Sequence, residues 1–165
     1  MLQIREHLFL GTLIEARKEK KLLDAGVLNL LCVASSCRFP KEERIRLLHL
    51  PLADEGTGDL IQVSEKAVEF IDKVKAEQGR VLVFCRQAQN RSPSVIISYL
   101  MASEGLSLKE AYRDIQEKRS LICPHRDYFS QLQELDKSHF GSVSFTEEDR
   151  GENPQDFITK NWDKN

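Results

Sequence analysis

One stretch of the chain gathers residue types that do chemistry together: Val81-Leu-Val-Phe-Cys85-Arg-Gln-Ala-Gln-Asn-Arg91-Ser92-Pro93. The apolar run Val81 to Phe84, bounded by Gly79 and a polar segment, is too short for a helix and reads as a buried strand. That strand delivers Cys85 into a short polar loop. The loop feeds a helix expected to open near Pro93, a residue suited to the first helical position. A strand–loop–helix turns several backbone N–H groups and a helix N-terminus toward one point, and so makes an anion site. The expected donors are the amides of Arg86, Gln87, Ala88, Gln89, Asn90 and Arg91, and the Arg91 guanidinium can fold over the same point to grip two phosphate oxygens. A free thiol titrates near about 8.5. The amides, the helix end and the guanidinium would lower that value and make Cys85 a nucleophile. The chemistry predicted is thiolate attack on a bound phosphate monoester, with the charged equatorial oxygens held by Arg91 and the loop.

The same spacing occurs from Cys32 to Arg38, but there Phe39-Pro40 follow and no helix. Cys32 therefore reads as a buried strand residue, and the spacing alone carries little. Cleavage of a phosphate ester also needs a proton for the leaving oxygen. Asp54, in the loop after the strand expected over Ile45–Leu50, is the candidate donor and Asp59 the weaker one, although a loop aspartate is more often a solvated turn former.

The elements that must position these groups follow from patterning. Leu8 to Gly11 suits a strand and turn, Leu13 to Ala25 a helix stopped at Gly26, and Val27 to Val33 a strand buried on both faces. Ser64 is expected to cap a helix with Ala67, Phe70, Ile71 and Val74 on one face and Gly79 at its end. Helices are further expected from Pro93, from Ser107 with Glu110 completing a capping box, and over about His125 to Ser138. Alternating strands and helices imply an α/β domain over 1–140, a mostly parallel twisted sheet flanked by helices with its crevice at the carboxyl ends of the strands. Residues 141–165 hold six acids (Glu147, Glu148, Asp149, Glu152, Asp156, Asp163), three bases and few aliphatics, so a flexible acidic tail is expected there.

Composition agrees with one globular domain: 165 residues, 41% hydrophobic and 30% charged. The net charge of -2 gives no reason to expect a nucleic-acid or membrane partner. No apolar run reaches the roughly 20 residues needed to span a bilayer. The first residues carry no signal-peptide stretch, and Leu2 does not suit N-myristoylation. Four cysteines in a chain this size do not read as a disulfide scaffold; reduced thiols in the cytoplasm, with the nucleus also open, are the expectation. Cys37 and Cys123 read as packed or surface thiols. His7, His49, His125 and His139 are scattered without metal spacing, and no metal or cofactor is expected.

Several ordered pieces together resemble the dual-specificity protein phosphatases of the cysteine-based tyrosine phosphatase superfamily, in particular the small atypical ones that consist of the catalytic domain alone. These pieces are Leu8-Phe-Leu-Gly11, Ala25-Gly-Val27, Asp54 with Phe70-Ile71, Val81 to Cys85 with Arg91-Ser92-Pro93-Ser94, Ser98-Tyr-Leu-Met101, and Pro124-His-Arg-Asp-Tyr128 with Gln131-Leu132. The resemblance implies Cys85 as nucleophile, Arg91 as phosphate clamp, Asp54 as general acid, and a Ser92 hydroxyl that stabilises the departing thiolate. The implied substrates are proteins carrying phosphotyrosine, with phosphoserine and phosphothreonine as further candidates. This chain departs from the family pattern with Phe84 where His is usual, Ala88 where Gly is usual, Asn90 where Ser is common, and His125 where Asn is common. Two alternatives follow: a pseudophosphatase that binds phosphorylated partners without turning them over, and an enzyme acting on RNA 5′-phosphates or phosphoinositides. The second would call for more basic charge than Arg86 and Arg91 add to the loop.

Overall fold

The apolar runs that patterning marks as strands become neighbours in one sheet. The computed structural model describes residues 1–38 and 40–151. In chain order the elements are β1 (Leu2–Gln3), β2 (Leu8–Thr12), α1 (Leu13–Ala16), α2 (Glu19–Asp24), β3 (Asn29–Cys32), β4 (Arg46–His49), α3 (Leu60–Ala76), β5 (Val81–Cys85), α4 (Arg91–Glu104), α5 (Leu108–Lys118), α6 (Arg126–Phe140) and α7 (Glu147–Arg150). The sheet order is β1-β2-β5-β3-β4. All pairings are parallel except the short β1 against β2. β5 is central and every one of its residues is buried, which accounts for its unbroken apolar run. Register places Thr12 beside Cys85 and Cys32 beside Phe84, so the parallel strands end level and their following loops meet along one edge.

Side chains alternate across the sheet and build two cores. Leu31, Val81, Val83 and Cys85 face α3, α4, α5 and α6, with Tyr99, Tyr128 and Phe129 among the side chains filling that layer. Phe9, Leu30, Cys32, Leu82 and Phe84 face α1 and α2, through Ala16 and Leu22. α4 lies at the centre of the thicker layer and is buried continuously from Arg91 to Met101.

Four sequence expectations change. The helix expected over Leu13–Ala25 is two helices broken at Arg17-Lys18. Ala16 and Leu22 are both buried under the sheet; on one unbroken helix, residues six apart would point about 120° away from each other. A Thr12–Glu15 capping box opens α1, and Gly26, at φ +67, follows α2 as expected. Ser64 is not a cap: α3 begins a turn earlier with Asp59, whose carboxylate accepts the Gln62 N–H at 2.9 Å. Ser64 instead lies on the buried stripe Leu60, Ser64, Ala67, Ile71, Val74. Pro93 occupies the third position of α4 rather than the first; it is still among the residues whose N–H has no intrahelical partner, so the ring costs no ladder bond.

Finally, residues 141–151, which composition assigns to the tail, pack onto the domain. Phe145 is fully buried between Tyr112 and Phe129, and the Arg150 guanidinium lies 4.5 Å over the Phe129 ring and donates to the Pro124 carbonyl at 2.8 Å. A Thr146–Asp149 capping box closes this segment onto α7. The rest of the expected tail, 152–165, lies outside the described residues. Composition misses the docking because one aromatic anchor outweighs an acidic neighbourhood. Phe145→Ala is expected to destabilise the domain by about 3 kcal/mol, read as a lower urea midpoint with an unchanged m-value.

Candidate active site

Cys85 ends β5 with 2% exposure, and the chain turns through Arg86–Asn90 into α4. In this turn each main-chain carbonyl is held from outside. The Arg86 carbonyl accepts from the Leu13 N–H at 3.4 Å, Gln87 from Arg119 Nη2 at 2.9 Å, and Ala88 from Arg119 Nε at 3.0 Å. The Gln89 carbonyl accepts from the Cys123 N–H at 2.6 Å, and Asn90 from the Ser94 N–H and hydroxyl at 3.1 and 2.8 Å. In a trans peptide the carbonyl and the next N–H point oppositely. Carbonyls drawn outward therefore turn the amides of the following residues, Gln87 to Arg91, into the concave side. The first turn of α4 opens beside them and adds its positive end. Arg119 is a site residue that sequence reading missed, because it arrives from the end of α5 and no local pattern announces it.

Ala88 sits at φ +57, in the left-handed region, at a cost of roughly 1–2 kcal/mol for a residue with a Cβ. Its methyl is buried in the main core and Arg119 holds its carbonyl, so the surroundings impose the conformation. Phe84, in the place of the usual imidazole, points into the opposite core with Phe9, Leu30 and Leu82.

Around the cradle the structure brings four predicted residues together. The Ser92 hydroxyl, in the first turn of α4, donates to Cys85 Sγ at 3.1 Å. Arg91 is 4% exposed, and its Nη1 donates to Ser35 Oγ at 3.2 Å and to the Leu52 carbonyl at 3.3 Å. Its Nε lies 3.0 Å from Asp54 Oδ1, an ion pair without an aligned hydrogen bond, so a buried N–H is left for an incoming oxyanion to satisfy. Asp59 is not at the site; its carboxylate is committed to capping α3. A cleft of about 360 Å³, lined by Leu13, Ser35, Ser36, Asp54, Arg86 and Arg91, opens beside the cradle.

The loop that carries Asp54 is fastened by α6. Tyr128 donates its hydroxyl to the Ala53 carbonyl; burial pushes its pKa up to about 12, so it remains a donor across the physiological range. The Gln131 side chain accepts from the Leu60 N–H at 2.7 Å and donates to the Gly58 carbonyl at 3.0 Å. At Gly56, with φ +80, a Cβ would stand 2.1 Å from His125 Nδ1, so a larger residue would be strained and would push the ring aside. The Asn90 side chain reaches out of the phosphate loop. Its Nδ2 donates to the Asp54 carbonyl at 2.7 Å and to Asp54 Oδ1 at 3.1 Å, and its Oδ1 accepts the His125 N–H at 2.7 Å.

The second Cys-x5-Arg has none of this. Cys32 is fully buried and faces the opposite core from Cys85; burial, then a hydrogen bond with Cys37, pushes its thiol well above the ordinary range. Cys37 is half-buried and Cys123 buried. Among the described residues no group of three or more His, Cys, Asp or Glu side chains could hold a metal ion.

Residues 8–138 match the family described as dual specificity phosphatase, catalytic domain. The chain is 31% identical over 135 residues to dual specificity protein phosphatase 1 of Arabidopsis thaliana, covering 82% of this chain and 68% of that protein. Against mouse dual specificity protein phosphatase 8 the identity is again 31%, but this chain spans only 21% of that protein's length. Among solved structures, human DUSP28 superposes with a TM-score of 0.79 at 28% identity, covering 84% of this chain and 96% of that one. A human tyrosine phosphatase-like serine/threonine/tyrosine-interacting protein superposes with a TM-score of 0.77 at 29% identity, over 84% and 97%.

Two substitutions separate the roles of the ion pair. Arg91→Lys keeps the charge but loses the planar fork, and tungstate affinity is expected to fall about tenfold or more, a loss of about 1.4 kcal/mol. Asp54→Asn removes the carboxylate that competes for Arg91 Nε, and tungstate affinity is expected to rise a few-fold. Isothermal titration of both variants checks the two directions.

Proposed function

The chain belongs to the dual specificity phosphatase family, and from that premise we propose that it is a cysteine-dependent protein phosphatase, acting on phosphotyrosine and also on phosphoserine and phosphothreonine. The observation that carries this reading is the contact of Ser92 Oγ with Cys85 Sγ at 3.1 Å, beside a loop whose carbonyls are held by outside donors and an Arg91 guanidinium paired with Asp54. A lone packed cysteine has no use for such surroundings.

In the proposed reaction the phosphate dianion settles on the loop amides and Arg91, displacing Asp54 from the guanidinium. The Cys85 thiolate attacks phosphorus as the bond from phosphorus to the ester oxygen breaks. The electron pair of that bond goes to the leaving oxygen, which takes a proton from the Asp54 carboxyl. The Asp54 carboxylate then removes a proton from water while the water oxygen attacks the phosphocysteine. The phosphorus–sulfur bond breaks toward Sγ, and the Ser92 O–H stabilises the thiolate released. Alcohol or phenol and inorganic phosphate are the products, and one water is consumed. No step calls for a cofactor. Four cysteines in a chain of this size suit a reducing compartment, the cytoplasm or nucleus.

A second reading, a pseudophosphatase that holds phosphorylated partners, is favoured by the left-handed Ala88 and by Phe84 in place of the usual imidazole. Likeness to a phosphatase-like interacting protein points the same way. The presence of Cys85, Ser92 and Asp54 in one site weighs against it, since binding alone requires none of the three.

Hydrolysis of a small aryl phosphate separates the readings. Cys85→Ser is expected to abolish turnover while retaining tungstate binding, and Cys32→Ser to keep activity; equal loss in both would indicate fold damage. Wild type that binds tungstate without hydrolysing the ester would establish the pseudophosphatase. Ala88→Gly, which relieves the left-handed strain, is expected to raise kcat/KM about threefold or more, within the range a well-aimed oxyanion donor supplies. It is a cleaner test than Phe84→His, which would bury an imidazole in an apolar core.

A further inference from the structure

Asn90 stands at the N-cap of α4, a position where asparagine ordinarily binds the amides of its own first turn. Here it makes no such bond. The side chain is buried at 4% exposure and bridges two other segments. Its orientation is fixed at both ends. The His125 N–H, just ahead of α6, lies outside any helical ladder and must find an acceptor, which is Asn90 Oδ1 at 2.7 Å. The Asp54 carbonyl can only accept, so Nδ2 faces it at 2.7 Å, and the same nitrogen reaches Asp54 Oδ1 at 3.1 Å.

From this geometry we infer that Asn90 is a positioning residue for Asp54: it staples the acid loop to the phosphate loop and selects which carboxyl oxygen carries the proton. This rests on the phosphatase reading and deepens it. Asp54 Oδ1 accepts from Asn90 Nδ2, a bond that persists when phosphate takes the Arg91 guanidinium. A proton on that oxygen would oppose the Asn90 hydrogen already directed at it. Oδ2 makes no hydrogen bond among the described residues, so the transferable proton resides there. Asn90 fixes the main-chain carbonyl of the same residue, which holds the Cα and limits the swing of the carboxyl. A serine at position 90 is too short to span from Asp54 to the His125 amide. The acid loop would then rely on Tyr128 at Ala53 and Gln131 at Gly58 and Leu60, which fasten its two ends and leave Asp54 between them free to move.

The test uses Asn90→Ser in the full chain, with phenyl phosphate, whose leaving group needs a proton, and an activated dinitrophenyl phosphate, whose leaving group does not. General acid catalysis contributes about 10²–10⁴-fold, and loss of the staple is expected to forfeit roughly tenfold of it. The kcat ratio of activated to unactivated substrate should therefore rise at least fivefold, with the alkaline-side limb of the kcat–pH profile for phenyl phosphate flattened. In an Asp54→Asn background the Asn90→Ser change should leave that ratio where Asp54→Asn put it. Amide hydrogen exchange, which needs no turnover, should quicken over residues 53–58 and stay level over 86–91. Equal loss on both substrates, or quickened exchange in the phosphate loop, would show that Asn90 supports the loop fold rather than the acid. Unchanged exchange over 53–58 would likewise overturn the inference. Wild type that hydrolyses neither substrate would sink the phosphatase reading, leaving the exchange measurement to decide on the staple alone.

Discussion

The carbonyls of Arg86 to Asn90 must find donors away from the cradle if the following amides are to face into it. Three surrounding parts of the fold supply them: the start of α1 through Leu13, the end of α5 and the irregular segment after it through Arg119 and Cys123, and α4 itself through Ser94. An anion site made of backbone is only as good as the orientation of its peptides. The sheet order puts β5 in the middle so that the loop after it is within reach of all three. The left-handed Ala88 belongs to the same constraint, because its peptide must present an outward carbonyl to Arg119.

A second layer of organisation ties the acid loop to this cradle. α6 contributes Tyr128 and Gln131 along one face, and the ring of its cap residue His125 sits against Gly56. Asn90 joins that assembly from the cradle side. Docking of residues 141–151 then braces α6 from behind, with Phe145 edge-on to Phe129 and Arg150 over its ring. A residue far along the chain and remote from any phosphate thus helps to fix the helix on which the acid loop rests.

The family departures have separate physical consequences. Phe84 extends the thinner core and leaves the cradle to be held by Arg119 and the neighbouring backbone. Ala88 accepts strain for which a buried methyl partly compensates. Asn90 and His125 depart together and touch each other, side chain to main chain, at 2.7 Å. Their pairing is a local alternative for joining the two loops.

The sequence by itself determined the four parallel strands, the central helix and the strand–loop–helix around Cys85, because each depends on neighbours in the chain: an apolar run for β5, a capping box for α5, and a polar turn between strand and helix. It also separated Cys85 from Cys32, since the helix that follows one and not the other is a local fact. Asp54 was preferable to Asp59 only weakly from its place in the loop after the strand, and geometry separates the two because the Asp59 carboxylate caps α3. Arg119, the outward reach of Asn90, the break at Arg17-Lys18 and the burial of Phe145 were decided by the tertiary structure alone. Each answers a demand set by a partner distant in sequence: an orphan carbonyl, an unpaired amide, a second apolar residue to be turned under the sheet, an aromatic slot between two helices. Such demands exist only after the chain has folded, when the groups that make them have lost their water.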